Sequence, residues 1–131
     1  SMVKAEGKVF LFDDPDKIRT DFLEVFDYSG EKQYIVYETP EFSCVCPFSG
    51  LPDFGQLIIE YIPGNYCLEL KSLKYYLTSF RNIGLYQEGV TNHIFKDIYK
   101  ILKPKYLKIE TIYNPRGGIN ATCNIEKGSK A

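Results

Sequence analysis

Ser43 to Gly55 read "SCVCPFSGLPDFG", a stretch with two of the chain's four cysteines and an aspartate. Cys46 stands where a strand should end, just before a turn, so its side chain can face a cleft. Free cysteines more often pack in cores than react, and that is the default for any one of them. Asp53 favours the reactive reading. It lies at the far end of "FSGLPDFG", a Pro- and Gly-containing turn that can fold the carboxyl back towards the thiol. A neighbouring carboxylate raises a thiol pKa and does not activate it. Asp53 therefore reads as an acid that protonates whatever the thiol attacks. Forming the thiolate then needs a cation, a helix N-terminus or transfer to the substrate. Cys44 shares the strand face of Cys46, but residues two apart on a strand are poorly placed for a disulfide. It reads as packing.

Metal chemistry has little support. Cys44 and Cys46 flank one residue, Cys67 and Cys123 are distant, and the single histidine, His93, falls within a helical pattern. No C-x-x-C pair exists, so no metal site is expected. Anion binding has more support. Between Leu70 and Gln87 there is no acidic residue, and the charges are Lys71, Lys74 and Arg81. Positions 71, 74, 78 and 81 share one helical face. A solvated face is the ordinary explanation for such a row, but the missing acids favour a phosphate site. "NPRGG" adds Arg116, whose forked guanidinium suits phosphate, and glycines that allow close main-chain approach. Gly-Gly by itself is no more than a tight turn. Glu88 opens a helix, where an acid is favoured electrostatically; a carboxylate can also accept two parallel N–H bonds, which a guanine edge presents.

These side chains need elements to hold them. "QYIVYETPEFSCVCP" is β-rich with a break at Pro40, and places Phe42, Cys44 and Cys46 on one face. "QLIIEYIPG" alternates and reads as its partner. "ELKSLKYYLTSFRN" puts Leu70, Leu73, Leu77 and Phe80 at helical spacing. A second helix should run from near Glu88 to Leu102 along Val90, Ile94, Ile98 and Ile101, with Pro104 as its stop. "YLKIETIY" and "INATCNIE" read as strands around the "NPRGG" turn. The order is ββααββ: an α+β domain with an antiparallel sheet and both helices on one face. Residues 1–30 read as irregular, and Ser1 ahead of Met2 as a cloning remnant.

The 131 residues fit one domain, 1–131. With 25% charged and 44% apolar residues, order is the default. A net charge of −1 argues against a broadly cationic nucleic-acid binder. No apolar run reaches membrane-span length, no leader pattern is evident, and four cysteines without one suggest reduced thiols in the cytoplasm. The 11 Tyr and 9 Phe, with no Trp, suggest a ring-filled core and some tyrosines at a subunit interface.

Together, "CPFSGLPDFG", "ELKSLKYYLTSFRN", "YQEG" and "PRGG" resemble, in order and spacing, the NADPH-dependent 7-cyano-7-deazaguanine reductase family, nitrile reductases of queuosine biosynthesis, from about Pro40 to Gly118. The helix motif is specific: Glu69 to Tyr76 fits every position of the family signature. The resemblance implies a tunnelling fold, in which subunits join their sheets into a ring with active sites between neighbours. The short form implies a homodecamer of two stacked pentamers. It implies no direct contact with nucleic acid or membrane. It further implies that Cys46 attacks the nitrile carbon of 7-cyano-7-deazaguanine to form a covalent thioimide, and that Asp53 protonates the nitrogen. NADPH then reduces the adduct and the ensuing imine to 7-aminomethyl-7-deazaguanine. Glu88 would hold the guanine-like edge, with Leu68, Glu69, Leu70 and Gln87 around the substrate. Lys71, Ser72, Lys74, Arg116 and Gly117 would contact the cofactor. Two positions depart from the pattern. Gln87 stands where the family usually has His, and cannot carry a proton at neutral pH; Leu70 stands where many members have Ser. Two other readings remain open: a non-reductive tunnelling-fold enzyme acting on a purine or pterin, and a non-enzymatic RNA-binding module.

Overall fold

The computed structural model describes residues 3–131; Ser1 and Met2 lie outside them. Four long strands form one antiparallel sheet: β2 (Ile35–Val45), β3 (Pro52–Ile62), β5 (Tyr106–Arg116) and β6 (Ile119–Gly128), in the spatial order β2-β3-β5-β6. Between β3 and β5 come α1 (Leu70–Thr78) and α2 (Gln87–Leu102). The expected ββααββ order and α+β class hold. Two short strands add to it: β1 (Val25–Asp27) pairs antiparallel with β4 (Tyr66–Leu68) in a separate ribbon. Residues 1–30 are thus not wholly irregular: they hold β1 and 3-10 turns at Pro15–Lys17 and Thr20–Phe22. Local pattern missed β1 because its partner lies far downstream.

Pro40 has the expected effect. The β2–β3 register shifts between Thr39 and Phe42, as a residue without an N–H disrupts a ladder. Past the shift, Phe42 and Cys44 point into the core. Buried Leu57, Ile59 and Tyr61 of β3 and Leu107, Ile109 and Tyr113 of β5 share that side of the sheet. Both helices lay their apolar stripes on it. From α2 come Val90, Ile94, Ile98 and Leu102; from α1 and the turn after it come Leu73, Tyr76 and Phe80. Leu70, expected on the apolar line, is exposed, and Tyr76 takes the core position. Leu70 sits at the first turn, on the open groove between α1 and β2.

The helix ends follow the usual chemistry. The Glu69 carboxylate accepts the main-chain N–H groups of Lys71 and Ser72 at 2.9 and 2.7 Å, capping α1. After α2, Lys103 takes a left-handed φ of 49° and Pro104 follows. Gly117 and Gly118, with φ of 58° and 76°, close the β5–β6 hairpin, a turn that needs positive φ at both positions. Among the described residues no helix is long and apolar enough to cross a membrane.

Candidate active site

The turn after β2 is shorter than expected. It runs from Cys46 to Leu51, closed by the Cys46 N–H to the Leu51 carbonyl and the Gly50 N–H to the Cys46 carbonyl, both at 2.9 Å. "PDF" therefore belongs to β3. Asp53 is brought back by strand pairing: its Cα lies opposite that of Cys44. Cys46 has left the strand face on which Phe42 and Cys44 are buried, and is half-exposed in the turn.

The two thiols of this stretch are in opposite states. Burial pushes the Cys44 thiol up to about 11, although the Tyr113 hydroxyl, 3.1 Å from its sulfur, offsets part of that. The Cys46 thiol is held below its ordinary value. The Ser49 main-chain N–H, the Phe48 N–H and the Ser49 hydroxyl stabilise its anion, and they outweigh partial burial and the Asp53 charge. The Phe48 N–H points at the sulfur from 3.5 Å. Sequence reasoning looked for a cation or a helix end and missed this ring of turn amides. "PFSG" was its visible sign, because Pro, Ser and Gly favour the turn that gathers them.

The segment between the helices runs beside the end of β2. The Val45 N–H donates to the Ile83 carbonyl at 3.0 Å, and the Leu85 N–H to the Val45 carbonyl at 3.3 Å. This sets the Tyr86 ring edge-on to Phe48, with centroids 5.9 Å apart, and starts α2 next to the turn. Gln87 is buried. Its amide nitrogen donates to the Thr111 carbonyl, the Thr111 hydroxyl and the Ala121 carbonyl at 3.0–3.2 Å, fastening α2 to β5 and β6. Its Oε1 accepts from Arg116 Nη2 at 3.4 Å, and Arg116 Nη1 lies 3.5 Å from Asp53 Oδ1. Cys46, Asp53, Gln87 and Arg116 thus gather at one end of the sheet, with Gly117 beside Arg116 in the hairpin. Glu88 is exposed at the first turn of α2, and among the described residues its carboxylate makes no hydrogen bond.

The residues around α1 lie elsewhere. A groove of about 720 Å³ runs between α1 and β2, and Lys71, Lys74 and Arg81 line it above Phe42, Leu57, Ile59 and Leu73. Glu69 and Leu70 also line it, but Cys46, Asp53 and Glu88 do not. Three carboxylates, Glu38, Glu41 and Glu69, line the groove beside the three cations. Ser72 is turned away: its hydroxyl donates to the Glu69 carbonyl at 2.8 Å and accepts the Glu24 N–H at 3.0 Å. Leu68 is fully buried, and the Glu69 carboxylate is engaged in its cap.

The family model described as "QueF-like protein" matches residues 52–131. Relatives from Thermotoga petrophila and Thermotoga maritima are each 57% identical over 125 residues, covering 95% of this chain and 91% of the relative. A relative from Chlorobium phaeobacteroides is 44% identical over 110 residues, covering 82% of this chain and 95% of its own. All three carry the name NADPH-dependent 7-cyano-7-deazaguanine reductase. A solved structure, the archaeosine synthase QueF-Like in the apo form, superposes with a TM-score of 0.66 at 20% identity, covering 79% of this chain and all of that one. At that identity the likeness concerns the fold alone.

Proposed function

The chain belongs to the QueF-like family, and from that we propose that it is an NADPH-dependent oxidoreductase reducing the nitrile of 7-cyano-7-deazaguanine to the aminomethyl group. The observation that carries the reading is the pairing at the sheet end: a half-exposed Cys46 thiol with its pKa lowered by turn amides, and Asp53 on the adjacent strand. The names of relatives covering most of both chains support the substrate and the cofactor.

Cys46 sulfur attacks the nitrile carbon, and one π bond of the C≡N becomes the new N–H bond of a thioimide. The proton needed at nitrogen is the one the thiol loses, and Asp53 is the group placed to carry it. NADPH, held by the groove cations, would supply two hydrides, each accompanied by one proton, and Cys46 leaves as the thiol between the two reductions. Glu88, whose carboxylate is unengaged, holds the ring N–H and amino group of the guanine-like edge. Gln87 fixes the start of α2 for it. Lys71 and Lys74 offer point charges to cofactor phosphates from the groove, and Arg116 and Gly117 offer contacts from the hairpin at the separate sheet end. Leu68, Glu69, Leu70 and Ser72 shape the start of α1. An imine intermediate needs protection from water, which a site closed between subunits provides.

We further propose that the chain is a single tunnelling-fold module acting in the cytoplasm on a free base, in queuosine biosynthesis, and assembling as a ring, two stacked pentamers in the short form. The open edges β2 and β6 support the ring, since closure removes unpaired strand edges. NADPH oxidation should depend on the nitrile and consume two NADPH for each aminomethyl product. Oxidation without nitrile dependence, or an unreduced product, would overturn the assignment.

A further inference from the structure

The main chain of the N-terminal segment lies across the turn that holds Cys46. The Phe10 N–H donates to the Ser49 carbonyl at 2.8 Å. Gly50, with φ of 71°, sits so close under Phe10 that a Cβ there would run into the Phe10 carbonyl oxygen. A little further on, Asp13 is bound at both main-chain groups: its N–H donates to the Asn82 carbonyl at 2.8 Å, and its carbonyl accepts the Gly84 N–H at 3.0 Å. The Phe12 ring covers Gly84, where a side chain would not fit. The segment 83–85 is in turn bonded to Val45, the residue before Cys46. One short segment therefore reaches both sides of the nucleophile.

Apart from the Phe12 ring on Gly84, its side chains do little packing. Phe10 is 58% exposed and Leu11 95%, so the segment is held mainly through its backbone. Fixing backbone costs entropy that exposed side chains do not return, and the contacts that offset it converge on the Cys46 turn. Ser49 is where they meet: its carbonyl is held by Phe10, and its chain neighbour Phe48 points its N–H at the Cys46 sulfur from 3.5 Å.

We propose that Phe10 is a positioning residue: through its main-chain bond to Ser49, the N-terminal segment clamps the Cys46–Leu51 turn and keeps the Phe48 N–H on the sulfur. The inference rests on Cys46 being the nucleophile of the proposed reaction. The charged group facing the sulfur is Asp53 of β3, with Arg116 of β5 against it, and the test leaves both unaltered. Iodoacetamide alkylation of Cys46 is followed by peptide mass spectrometry over a pH series, with no nitrile present. Phe10→Pro removes the N–H, Phe10→Ala keeps it, and deletion of residues 1–11 removes the clamp outright. In Phe10→Pro and in the deletion, the alkylation midpoint should move to higher pH, with the rate at neutral pH about two- to tenfold lower, the worth of one net hydrogen bond. Phe10→Ala should retain the original midpoint. In turnover, kcat should fall with the KM for the nitrile unchanged. An unchanged midpoint in both Phe10→Pro and the deletion, whatever their melting temperatures, would overturn the proposal. So would a midpoint shifted equally in Phe10→Ala. Because alkylation needs no nitrile, a wrong substrate assignment shows separately, as an unaltered protein that alkylates normally and reduces nothing.

Discussion

At the scale of single residues, the two cysteines of "SCVC" differ by which side of a strand end they occupy. Cys44 is sealed against Tyr113, and Cys46 is half-exposed with the Phe48 N–H on its sulfur. With the nitrile and no NADPH, the intact protein should gain the whole substrate mass, since addition expels nothing. Cys46→Ala should abolish that adduct. Cys44→Ala should retain it while losing about 1–3 kcal/mol of stability, because the buried Tyr113 hydroxyl loses its partner; intact-mass and urea measurements separate the two. An adduct persisting in Cys46→Ala would move the nucleophile elsewhere. Asp53→Asn should fold normally and lose about 10²–10⁴-fold in kcat, the usual worth of a positioned acid–base group. A loss under tenfold would count against Asp53 as the proton carrier. The lowered Cys46 thiol also sets a sign: thiolate is present above its folded pKa, so alkylation should fall only as pH drops through a value below that of an ordinary thiol.

At the scale of elements, one carboxylate ties three segments together. Asp97 of α2 accepts from Tyr76 of α1 at 2.6 Å, from Thr20 at 3.2 Å, and faces His93 Nδ1 at 3.2 Å. His93, which the sequence places within a helical pattern, is thus a half-exposed partner inside this network. Burial works against the Asp97 charge, but the bonds from His93 and Tyr76 outweigh it and hold the carboxyl below its usual range. A depressed carboxyl contributes stability above its unfolded pKa and loses it as pH falls through the folded one. Thermal melts should therefore weaken on the acid side, and Asp97→Asn should flatten that slope. Asp97→Ala leaves the buried Tyr76 hydroxyl without its acceptor and should cost about 1–3 kcal/mol in denaturant melts. A variant as stable as the parent would make the network incidental.

At the scale of the whole molecule, the candidate residues fall in two places. Cys46, Asp53, Gln87 and Arg116 gather at the sheet end, whereas Lys71 and Lys74 line the α1–β2 groove. The proposed ring would join the two if one subunit's groove served its neighbour's thiol. Light scattering should then find an oligomer. Co-assembled Cys46→Ala and Lys74→Ala subunits, each impaired alone, should regain activity, because some shared sites receive an intact half from each parent. A fully active monomer at micromolar concentration, or no recovery on mixing, would sink the shared site.

The sequence alone determined the ββααββ order, the break at Pro40, the stop at Pro104 and the hairpin at Gly117-Gly118. Each is written in side-chain periodicity or in residues that restrict φ, and these act within a few neighbours. The family was legible for the same reason: "CPFSGLPDFG" and Glu69 to Tyr76 are contiguous words. Tertiary structure decided what depends on pairing across the chain. β1 exists because β4 lies beside it; Leu70 is left out because it lines the open groove between α1 and β2. Asp53 returns by register with Cys44 and not by a turn. Gln87 is drawn inward by carbonyls on β5 and β6, and Arg116 meets Asp53 because β3 and β5 are neighbours. For the Cys46 sulfur, "PFSG" signals the turn, but not which N–H meets the thiol: every residue but proline has one, and only the fold says where it points.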